Sequence, residues 1–430
     1  MLAAVLGFAA AITLILLRVP IAIALGMTGF VGFGLLVGFK QAAAMMAIVT
    51  KDASMSYTLA VIALFVLMGN LIIGAGVSRE IFKCAQLFMG HWRGGLAMAA
   101  ITATAGFATV CGSTIATVVT IGKISMPSLK SYGYRDSFSA AAVAAGSTLG
   151  IMIPPSTLMV VYCILTETNI GKLYAAALIP SVVGLIGYLV AVRWVVWRNP
   201  EAARIAPRAS WPEALQSLRP IWSVGLLFCF VLGGIFAGWF TATESAGIGA
   251  CGALALLVYR RRLTWRKLYD SLYDAARTTA IIFALIIGAM IFTEFLNYTG
   301  AHQGVLDFIL NSGFSPFGII LVICAIYVVL GALMDELSMI LLTVPIFFPV
   351  VTGLGFDPIW FGILLIALCE IGLICPPIGL NLFVVRDFAP EVPISKVIVA
   401  IVPFIISDIF RVLLLAIFPA LALWLPSKIL

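Results

Sequence analysis

The sequence predicts an all-α polytopic membrane protein with inverted repeats, about ten crossings and two re-entrant hairpins. Three observations lead to this fold class. Of the 430 residues, 63% are hydrophobic and only 10% are charged, whereas soluble domains are nearer to about 25% charged. Two segments repeat each other at a constant offset, and two long apolar stretches have a polar middle. Apolar runs of this length are typical of helices that cross a bilayer.

The repeat joins two places where an apolar helix meets a pair of prolines. Leu149–Pro155 corresponds to Ile371–Pro377, and the same offset pairs Asp52 with Asp274, Pro127 with Pro349, and Gly133 with Gly355. Proline has no backbone N–H, so each pair leaves carbonyl groups one turn back without helical partners. The repeat therefore predicts two broken helices.

Ten apolar segments are predicted as full crossings. They lie near 2–17, 20–39, 58–77, 137–167, 173–197, 220–239, 242–259, 278–299, 359–388 and 396–424. Two further stretches, 94–128 and 315–351, have the polar middles Cys111–Thr114 and Met334–Ser338. Short apolar arms around a polar centre favour a re-entrant hairpin whose tip is buried in protein. Segments 41–57 and 260–277 are predicted as amphipathic arms along the membrane surface.

The distribution of basic residues predicts the orientation. With residue 1 outside, 19 lysines and arginines lie on the cytoplasmic side. Four lie outside, at Lys40, Lys51, Lys172 and Lys428, and two lie within membrane segments, at Lys123 and Arg411. Since basic loops stay in the cytoplasm, both termini are predicted to face outward, and the positive net charge is assigned to topology instead of nucleic-acid binding. Five crossings separate equivalent repeat positions, so the second repeat is inverted and the hairpin tips meet near the midplane.

The first half supplies hydroxyl groups and carbonyl groups as candidate ligands. Gly112, Ser113 and Thr114 form the first tip, where helix N-termini favour anions. Carbonyls at Gly150, Ile153 and Pro155, with the Ser113 hydroxyl, suit a small hard cation such as sodium. Ser156 is a further candidate. The alternatives are a small-residue helix-packing motif at the tip and an ordinary proline kink at the break.

The second half supplies an acid. Asp335 lies in the second tip, where a carboxylate is costly unless it faces a cavity or pairs with a cation. Sodium coordination and substrate-side gating are both open for it, and Ser338 is grouped with it. The neighbouring acid, Glu336, is expected to point elsewhere, so Asp335 is favoured over it. At the second break, Gly372, Cys375 and Pro377 are the candidate cation ligands, and the Asn381 amide lies where the helix resumes.

Other charged and sulfur-containing residues are predicted to be structural. Asp408 and Arg411, at i and i+3, neutralise each other. Glu244 caps the helix that follows Thr241, and Glu294 and Glu370 act as local hydrogen-bonding partners. The eight cysteines have neither metal-binding nor CxxC spacing and are expected to be free thiols.

These motifs resemble those of the large membrane subunit of tripartite ATP-independent periplasmic (TRAP) transporters. The resemblance covers essentially the whole chain, from the turn at Arg18–Pro20 to the final span. Its most specific stretches are Gly112–Thr117, Gly150–Ser156, Glu167–Tyr174, Phe240–Glu244 and Pro376–Phe383.

The chain departs from the family pattern at three places. The family usually has Ser-Gly-Ser-Ser at the first tip, where this chain has Cys111–Thr114. It usually has threonine at the position of Cys375 and proline at that of Ala242. The cysteine removes one oxygen ligand, so only a backbone carbonyl role survives at position 375.

The resemblance implies a sodium-driven, elevator-type secondary importer of carboxylates, such as dicarboxylates or sialic acids, in the bacterial inner membrane. It implies no organic cofactor and two partners, a small four-helix membrane subunit and a soluble periplasmic substrate-binding protein. The two hairpins and two broken helices would form the mobile transport domain, and the remaining spans with the arms would form the scaffold.

The predicted domain boundaries follow the repeat. They are 1–93 for the scaffold helices and arm of repeat 1, 94–172 for the first transport half, 173–217 for a linking helix and cytoplasmic loop, 218–300 for the scaffold helices and arm of repeat 2, 301–388 for the second transport half, and 389–430 for the C-terminal helix.

Four other functions fit the residues less well. The runner-up is a self-sufficient sodium/anion symporter of the same architecture, but such carriers commonly have Ser-Asn-Thr at the tips and this chain has none. An intramembrane enzyme would need a nucleophile with a base, a metal motif or paired carboxylates. A pump subunit would need a separate ATPase, because the chain has no phosphate-binding loop motif. A channel does not need two inverted hairpins that close on one point.

Overall fold

The computed structural model describes residues 2–301, 303–304, 313, 315–377 and 379–429. In this part of the chain all regular structure is helical, which confirms the all-α prediction. Ile378, which belongs to the last stretch of family resemblance, lies outside the described residues.

The described part of the first half contains ten α-helices. They are α1 (Leu2–Leu16), α2 (Ile21–Val37), α3 (Phe39–Ser54), α4 (Ala60–Gly74), α5 (Ser78–Met89), α6 (Gly95–Cys111), α7 (Thr114–Ser131), α8 (Asp136–Thr148), α9 (Thr157–Thr166) and α10 (Ile170–Arg198). A 3-10 turn, Leu149–Ile151, follows α8 directly. The first hairpin is therefore α6 with α7, and the first broken helix is α8 with α9.

The described part of the second half contains eleven helices. They are α11 (Trp211–Leu218), α12 (Trp222–Phe236), α13 (Ala242–Tyr259), α14 (Trp265–Tyr298), α15 (Pro316–Gly331), α16 (Glu336–Gly353), α17 (Pro358–Ile374), α18 (Leu380–Arg386), α19 (Ile394–Ile417), α20 (Ala420–Leu423) and α21 (Pro426–Ile429). The second hairpin is α15 with α16, and the second broken helix is α17 with α18.

The repeat is visible in the local backbone. Pro127 lies inside α7 and Pro349 inside α16, each in the second helix of its hairpin. Just after these helices, Gly133 and Gly355 both have positive φ, at 74° and 86°. The Pro154–Pro155 and Pro376–Pro377 peptide bonds are both cis. Positions related by the repeat offset therefore occupy equivalent places, while the inversion of the second repeat stays a prediction.

One predicted boundary is wrong. The sequence predicts that the arm 260–277 is separate from the span that follows it, as α3 is separate from α4 in the first half. Instead, α14 runs through both without interruption for 34 residues. The repeat pairs Ser56 and Tyr57, where the first-half helix is interrupted, with Thr278 and Thr279 inside α14. All four are weak helix formers, so helix propensity does not account for the difference.

The structure contains two bends that the sequence does not predict. α4 and α5 meet at 71°, and α11 and α12 meet at 52°. Among the described helices, five are apolar and at least 18 residues long, namely α10, α13, α14, α16 and α19. The total of ten crossings stays a prediction.

Small residues let the outer helices approach closely. An ideal Cβ on Gly29 of α2 would lie 2.7 Å from the Phe292 backbone of α14, and one on Gly288 of α14 would collide with the Ala22 carbonyl oxygen. Such glycines are typical of helix pairs that pack in membranes. The helices of the first half and the second half therefore pack directly on each other.

Candidate functional site

The first hairpin tip is a tight turn with a hydroxyl cap. Gly112 ends α6 with φ 62°, a conformation that glycine adopts without a Cβ penalty. Ser113 is the N-cap of α7, and its Oγ accepts a hydrogen bond from the Ala116 N–H at 3.4 Å. Ser113 is exposed and Thr114 is buried. The tip therefore presents a hydroxyl and the N-terminal end of a helix, as the sequence predicts.

The first break exposes backbone carbonyls beside a buried hydroxyl. Because Pro154 and Pro155 have no N–H groups, the carbonyls of Gly150 and Ile151 lack their helical donors. Ser181 of α10 supplies a replacement nearby by donating to the Met152 carbonyl at 3.1 Å. Ser156 begins the second half-helix; its Oγ is buried and has no hydrogen-bond partner among the described residues.

Asp335 in the second tip is a helix cap. It is the N-cap of α16, where one carboxylate oxygen accepts from the Ser338 N–H at 3.1 Å and the other from the Ser338 hydroxyl. An acid at a helix N-terminus is stabilised by the helix dipole as well as by these bonds. Asp335 and Ser338 therefore act as one unit, and Asp335 is only partly buried.

The second break differs in detail from the first. α17 is buried from Trp360 to its end at Ile374, with Cys375 half-buried at its C-cap and Pro377 exposed. Gly379 has φ 48° and precedes α18, whose second residue is the fully buried Asn381. Gly372 packs against Gly331 of the second hairpin, where an ideal Cβ on Gly331 would lie 2.9 Å from the Gly372 Cα.

Three contacts bring tips and breaks together. An ideal Cβ on Gly112 would lie 3.9 Å from the Pro155 carbonyl oxygen, so the first tip adjoins the first break. The Glu336 carboxyl of the second tip lies near the Thr114 side chain of the first. The Asn381 amide donates to the Ser147 Oγ at 2.9 Å and to the Ala144 carbonyl at 3.4 Å, joining the second break to α8.

A buried network of ion pairs and hydrogen bonds connects α10 and α19 to the two broken helices. Arg411 of α19 pairs with Asp408 at 2.9 Å, as predicted, and also with Glu370 of α17. Asp408 in turn accepts from the Tyr188 hydroxyl of α10 at 2.6 Å, and Tyr188 is 3.0 Å from the Thr148 hydroxyl of α8. These groups are almost completely buried, so each depends on its partners in place of water.

Sequence reasoning misses part of this arrangement. It favours Asp335 over Glu336, yet Glu336 is the acid that lies near the other tip. It gives no role to Tyr188. Thr148 and Glu370 are equivalent positions of the repeat, and both belong to the buried network. The repeat could therefore have indicated that these two residues have related roles.

The cap predicted at the start of α13 is confirmed. The Thr241 hydroxyl accepts from the Glu244 N–H, and the Glu244 carboxylate accepts from the Thr241 N–H. This reciprocal pair satisfies two backbone donors at the helix N-terminus. Glu244 therefore has the structural role that the sequence indicates.

The available ligands are oxygen atoms of the backbone, hydroxyls, amides and carboxylates. Among the described residues, no group of three or more histidine, cysteine, aspartate or glutamate side chains is placed to hold a metal ion. The buried Oγ of Ser156 and the buried Oδ1 of Asn381 have no hydrogen-bond partners in the described part of the chain. Uncharged oxygens of this kind suit an alkali cation better than a transition metal.

Two hairpins that meet two broken helices inside an apolar helical body define a membrane transporter. The chain matches the family model described as "Tripartite ATP-independent periplasmic transporter, DctM component" over residues 8–421. It therefore belongs to this family, which confirms the resemblance found in the sequence. Because the family is a transporter permease component, the chain is not an enzyme.

Individual relatives agree with this assignment. The chain is 37% identical to the C4-dicarboxylate TRAP transporter large permease protein DctM of Pseudomonas aeruginosa, over 89% of each chain. It is 30% identical to the sialic acid TRAP transporter large permease protein SiaM of Vibrio cholerae, over 86% of this chain and 87% of that one. In fold it is similar to the crystal structure of the Alcanivorax borkumensis YdaH transporter, with a TM-score of 0.62, 15% identity and 91% of each chain covered.

Proposed function

We propose that this chain is the membrane-spanning carrier of a sodium-coupled importer of small carboxylates in the bacterial inner membrane, with both termini in the periplasm. A small four-helix membrane subunit and a periplasmic substrate-binding protein complete the transporter. The observation that carries the proposal is the meeting of tips and breaks, through the Gly112–Pro155 and Gly331–Gly372 approaches, and of the two halves through the Asn381–Ser147 hydrogen bond.

Sodium is assigned to the oxygen atoms of the two breaks and the second tip. In the first half the ligands are the carbonyls of Gly150, Ile153 and Pro155; in the second half they are Asp335 and the carbonyls of Gly372, Cys375 and Pro377. The Ser113 hydroxyl, a sequence candidate for either ligand, belongs to the first tip and is assigned to the carboxylate. Oxygen ligands from unwound backbone, supplemented by an acid, suit a small hard cation. Asp335 places a carboxylate at the second tip, and this charge favours a cation there.

The substrate carboxylate is assigned to the first tip. Gly112, Ser113 and Thr114 carry no acid, and α7 and α9 begin at this tip and at the adjoining break. Their N-terminal ends place partial positive charge there. The Ser156 hydroxyl and the Asn381 amide, both buried, lie in the two breaks. The two tips thus divide the charges between them, with the anion on the first and the cation nearer the second.

The ion network indicates which helices move together. α10 and α19 are bonded to α8 and α17 through Tyr188, Asp408 and Arg411, and they pack against both broken helices. Separating them would leave buried charges unpaired, which is costly. We therefore place α10 and α19 in the mobile unit with the hairpins and broken helices, and α1 to α4 with α12 to α14 in the scaffold.

Transport then follows from occupancy of the site. Sodium bound at the breaks holds the tips against them and completes the carboxylate site. Once both charges are matched, the loaded unit slides past the scaffold and opens to the cytoplasm. An unmatched carboxylate or sodium ion leaves a net charge in the membrane interior, and that cost opposes movement of a partly loaded unit.

The test is uptake by proteoliposomes that contain this chain and its small partner under an imposed sodium gradient. Radiolabelled dicarboxylates and sialic acid are offered with and without the cognate periplasmic binding protein. The proposal expects uptake that requires both sodium and the binding protein. Uptake by the membrane components alone would instead identify a self-sufficient symporter. Uptake that does not depend on sodium would show that sodium is not the coupling ion.

A further inference from the structure

Three arginines meet at a groove where several apolar helices end. The groove has a volume of about 330 Å³ and is lined by Arg219, Arg260, Arg262, Trp222, Tyr259 and a single acid, Glu80. The basic side chains come from two separate junctions of the chain, the α11–α12 bend and the α13–α14 turn.

The groove lies at the level of a membrane surface. α4 ends at Gly74, α12 begins at Trp222 and α13 ends at Tyr259, so three apolar helices terminate around it. Trp222 is 57% exposed and Tyr259 is 77% exposed. Tryptophan and tyrosine at span ends are typical of the headgroup layer, where their amphipathic rings are favoured.

Two of the arginines are held in place by hydrogen bonds but keep unused N–H donors. Arg260 donates to Glu80 at 2.6 Å and to the Pro220 carbonyl. Arg262 donates to the Ala75 carbonyl at 3.1 Å. Each guanidinium has five N–H donors, so both retain free donors after these bonds.

Arg219 is exposed, and its side chain has no hydrogen bond or ion pair to any residue that the structure describes. Three guanidiniums therefore face only one carboxylate, and the groove has excess positive charge together with unused donors. A phosphate group supplies the matching charge and several acceptor oxygens, which guanidinium groups bind in a bidentate manner.

Gly76 shows that the arginine position is built into the fold. This residue has φ 72°, and an ideal Cβ on it would collide with the Arg262 Nη1. Only glycine at this place allows the guanidinium to reach the end of α4. The α4–α5 bend and the basic groove therefore depend on each other.

We propose that this groove binds the phosphate headgroup of an anionic phospholipid from the surrounding membrane. Basic pockets between transmembrane helices are suited to anionic lipid headgroups, whose acyl chains remain in the bilayer beside apolar helices. Bound there, the phosphate bridges the α11–α12 bend and the α13–α14 turn. Because Arg262 contacts the end of α4 and α5 packs on α6 of the first hairpin, the lipid steadies the connection between the scaffold and the first hairpin.

The experiment measures thermal unfolding of the full chain in nanodiscs of phosphatidylcholine with increasing fractions of phosphatidylglycerol. We expect phosphatidylglycerol to raise the midpoint by about 2 °C or more. In Arg219→Gln the fraction needed for half of that rise increases about fivefold, the effect of one lost surface arginine contact. Arg193→Gln is the matched control, since Arg193 is exposed beside Trp194 at the end of α10, away from the groove.

Native mass spectrometry of the same proteins counts bound phosphatidylglycerol without reference to stability, and Arg219→Gln should retain fewer copies than Arg193→Gln. Equal losses in both variants would show a general surface charge effect and overturn the proposal. Inorganic phosphate added to phosphatidylcholine nanodiscs should not raise the midpoint; if it does so fully, the ligand is free phosphate and the lipid proposal is overturned. An unchanged midpoint of the wild type across all lipid mixtures would also overturn the proposal.

Discussion

The two hairpin tips share a backbone plan but differ in charge. The first tip, Gly112 to Thr114, caps its helix with a serine hydroxyl at 3.4 Å. The second caps its helix with the Asp335 carboxylate and places Glu336 beside it. The positions that fix the backbone, such as Pro127 and Pro349, are the ones that repeat.

The breaks differ in the same way. In the first, the Ser156 hydroxyl is buried without a partner among the described residues, whereas in the second the Asn381 amide donates to Ser147 and Ala144 across the repeat boundary. The repeat therefore preserves the backbone geometry of the site, while the side chains at the site have different roles in the two halves. The first half offers a neutral site with unused donors, and the second half supplies negative charge and the bonds that hold the halves together.

The largest effect on stability is expected from Arg411→Ala. The guanidinium pairs with Asp408 and Glu370, and its removal leaves both acids buried without their cation, at a cost of about 3–5 kcal/mol. Because the network ties α8 to α17, this change should loosen both halves together. Thermal unfolding in detergent measures it, with exposed Arg193→Ala as the control expected within about 0.5 kcal/mol of wild type. Equal stability of the two variants would contradict the role of the network.

The next largest loss of stability is expected from Asn381→Ala. It removes two hydrogen bonds between the second break and α8, and we expect a loss of about 1–3 kcal/mol in the free energy of unfolding. The control is Asn297→Ala on the exposed side of α14. If Asn381→Ala unfolds at the wild-type temperature, the halves are not held together by this amide.

Ser156→Ala should weaken ligand binding without changing the stability of the fold. Its hydroxyl has no partner in the described part of the chain, so its removal should leave the unfolding temperature in the absence of sodium unchanged. As a site oxygen, however, it contributes to ligand binding, and the sodium or carboxylate concentration for half-maximal uptake should rise about tenfold, the equivalent of one net hydrogen bond to a charged group. A loss of stability without a change in these concentrations would make it a structural residue.

The smallest effect is expected at the surface contact between the halves. Lys130 at the end of α7 lies 2.6 Å from Glu391 and holds the pKa of that carboxyl below its usual range, chiefly through their hydrogen bond. The stabilisation is therefore present at neutral pH and is lost as the pH falls through the lowered value. Glu391→Gln should be nearly neutral, and salt should reduce even that difference. A large, salt-independent loss would show that the pair is not a simple surface contact.

The sequence predicted the features that the backbone dictates. Pro154–Pro155 and Pro376–Pro377 predicted the broken helices because proline removes helical donors, and the polar middles of two apolar stretches predicted the tips. The Asp408–Arg411 pair was predictable because i and i+3 residues share a helix face. In each case the cause lies within one or two turns of the chain.

Contacts between distant segments were not predictable in this way. Glu370 and Arg411 lie on different helices, and nothing local indicates that α17 and α19 bring them together. Glu336 and Thr114 likewise meet only because two hairpins converge. The unbroken α14 is also not predictable from the local sequence, because Thr278 and Thr279 are no better helix formers than Ser56 and Tyr57 at the interruption in the first half.

The most direct test of the account compares Asp335→Asn with Ser113→Ala in proteoliposome uptake, measured against sodium and against carboxylate concentration. Asp335→Asn should raise the sodium concentration for half-maximal uptake much more than the carboxylate concentration, and Ser113→Ala should do the reverse. Asn still caps the helix, so folding is retained. If both variants shift the same concentration by the same factor, or if neither shifts either one, the division of charge between the two tips is wrong.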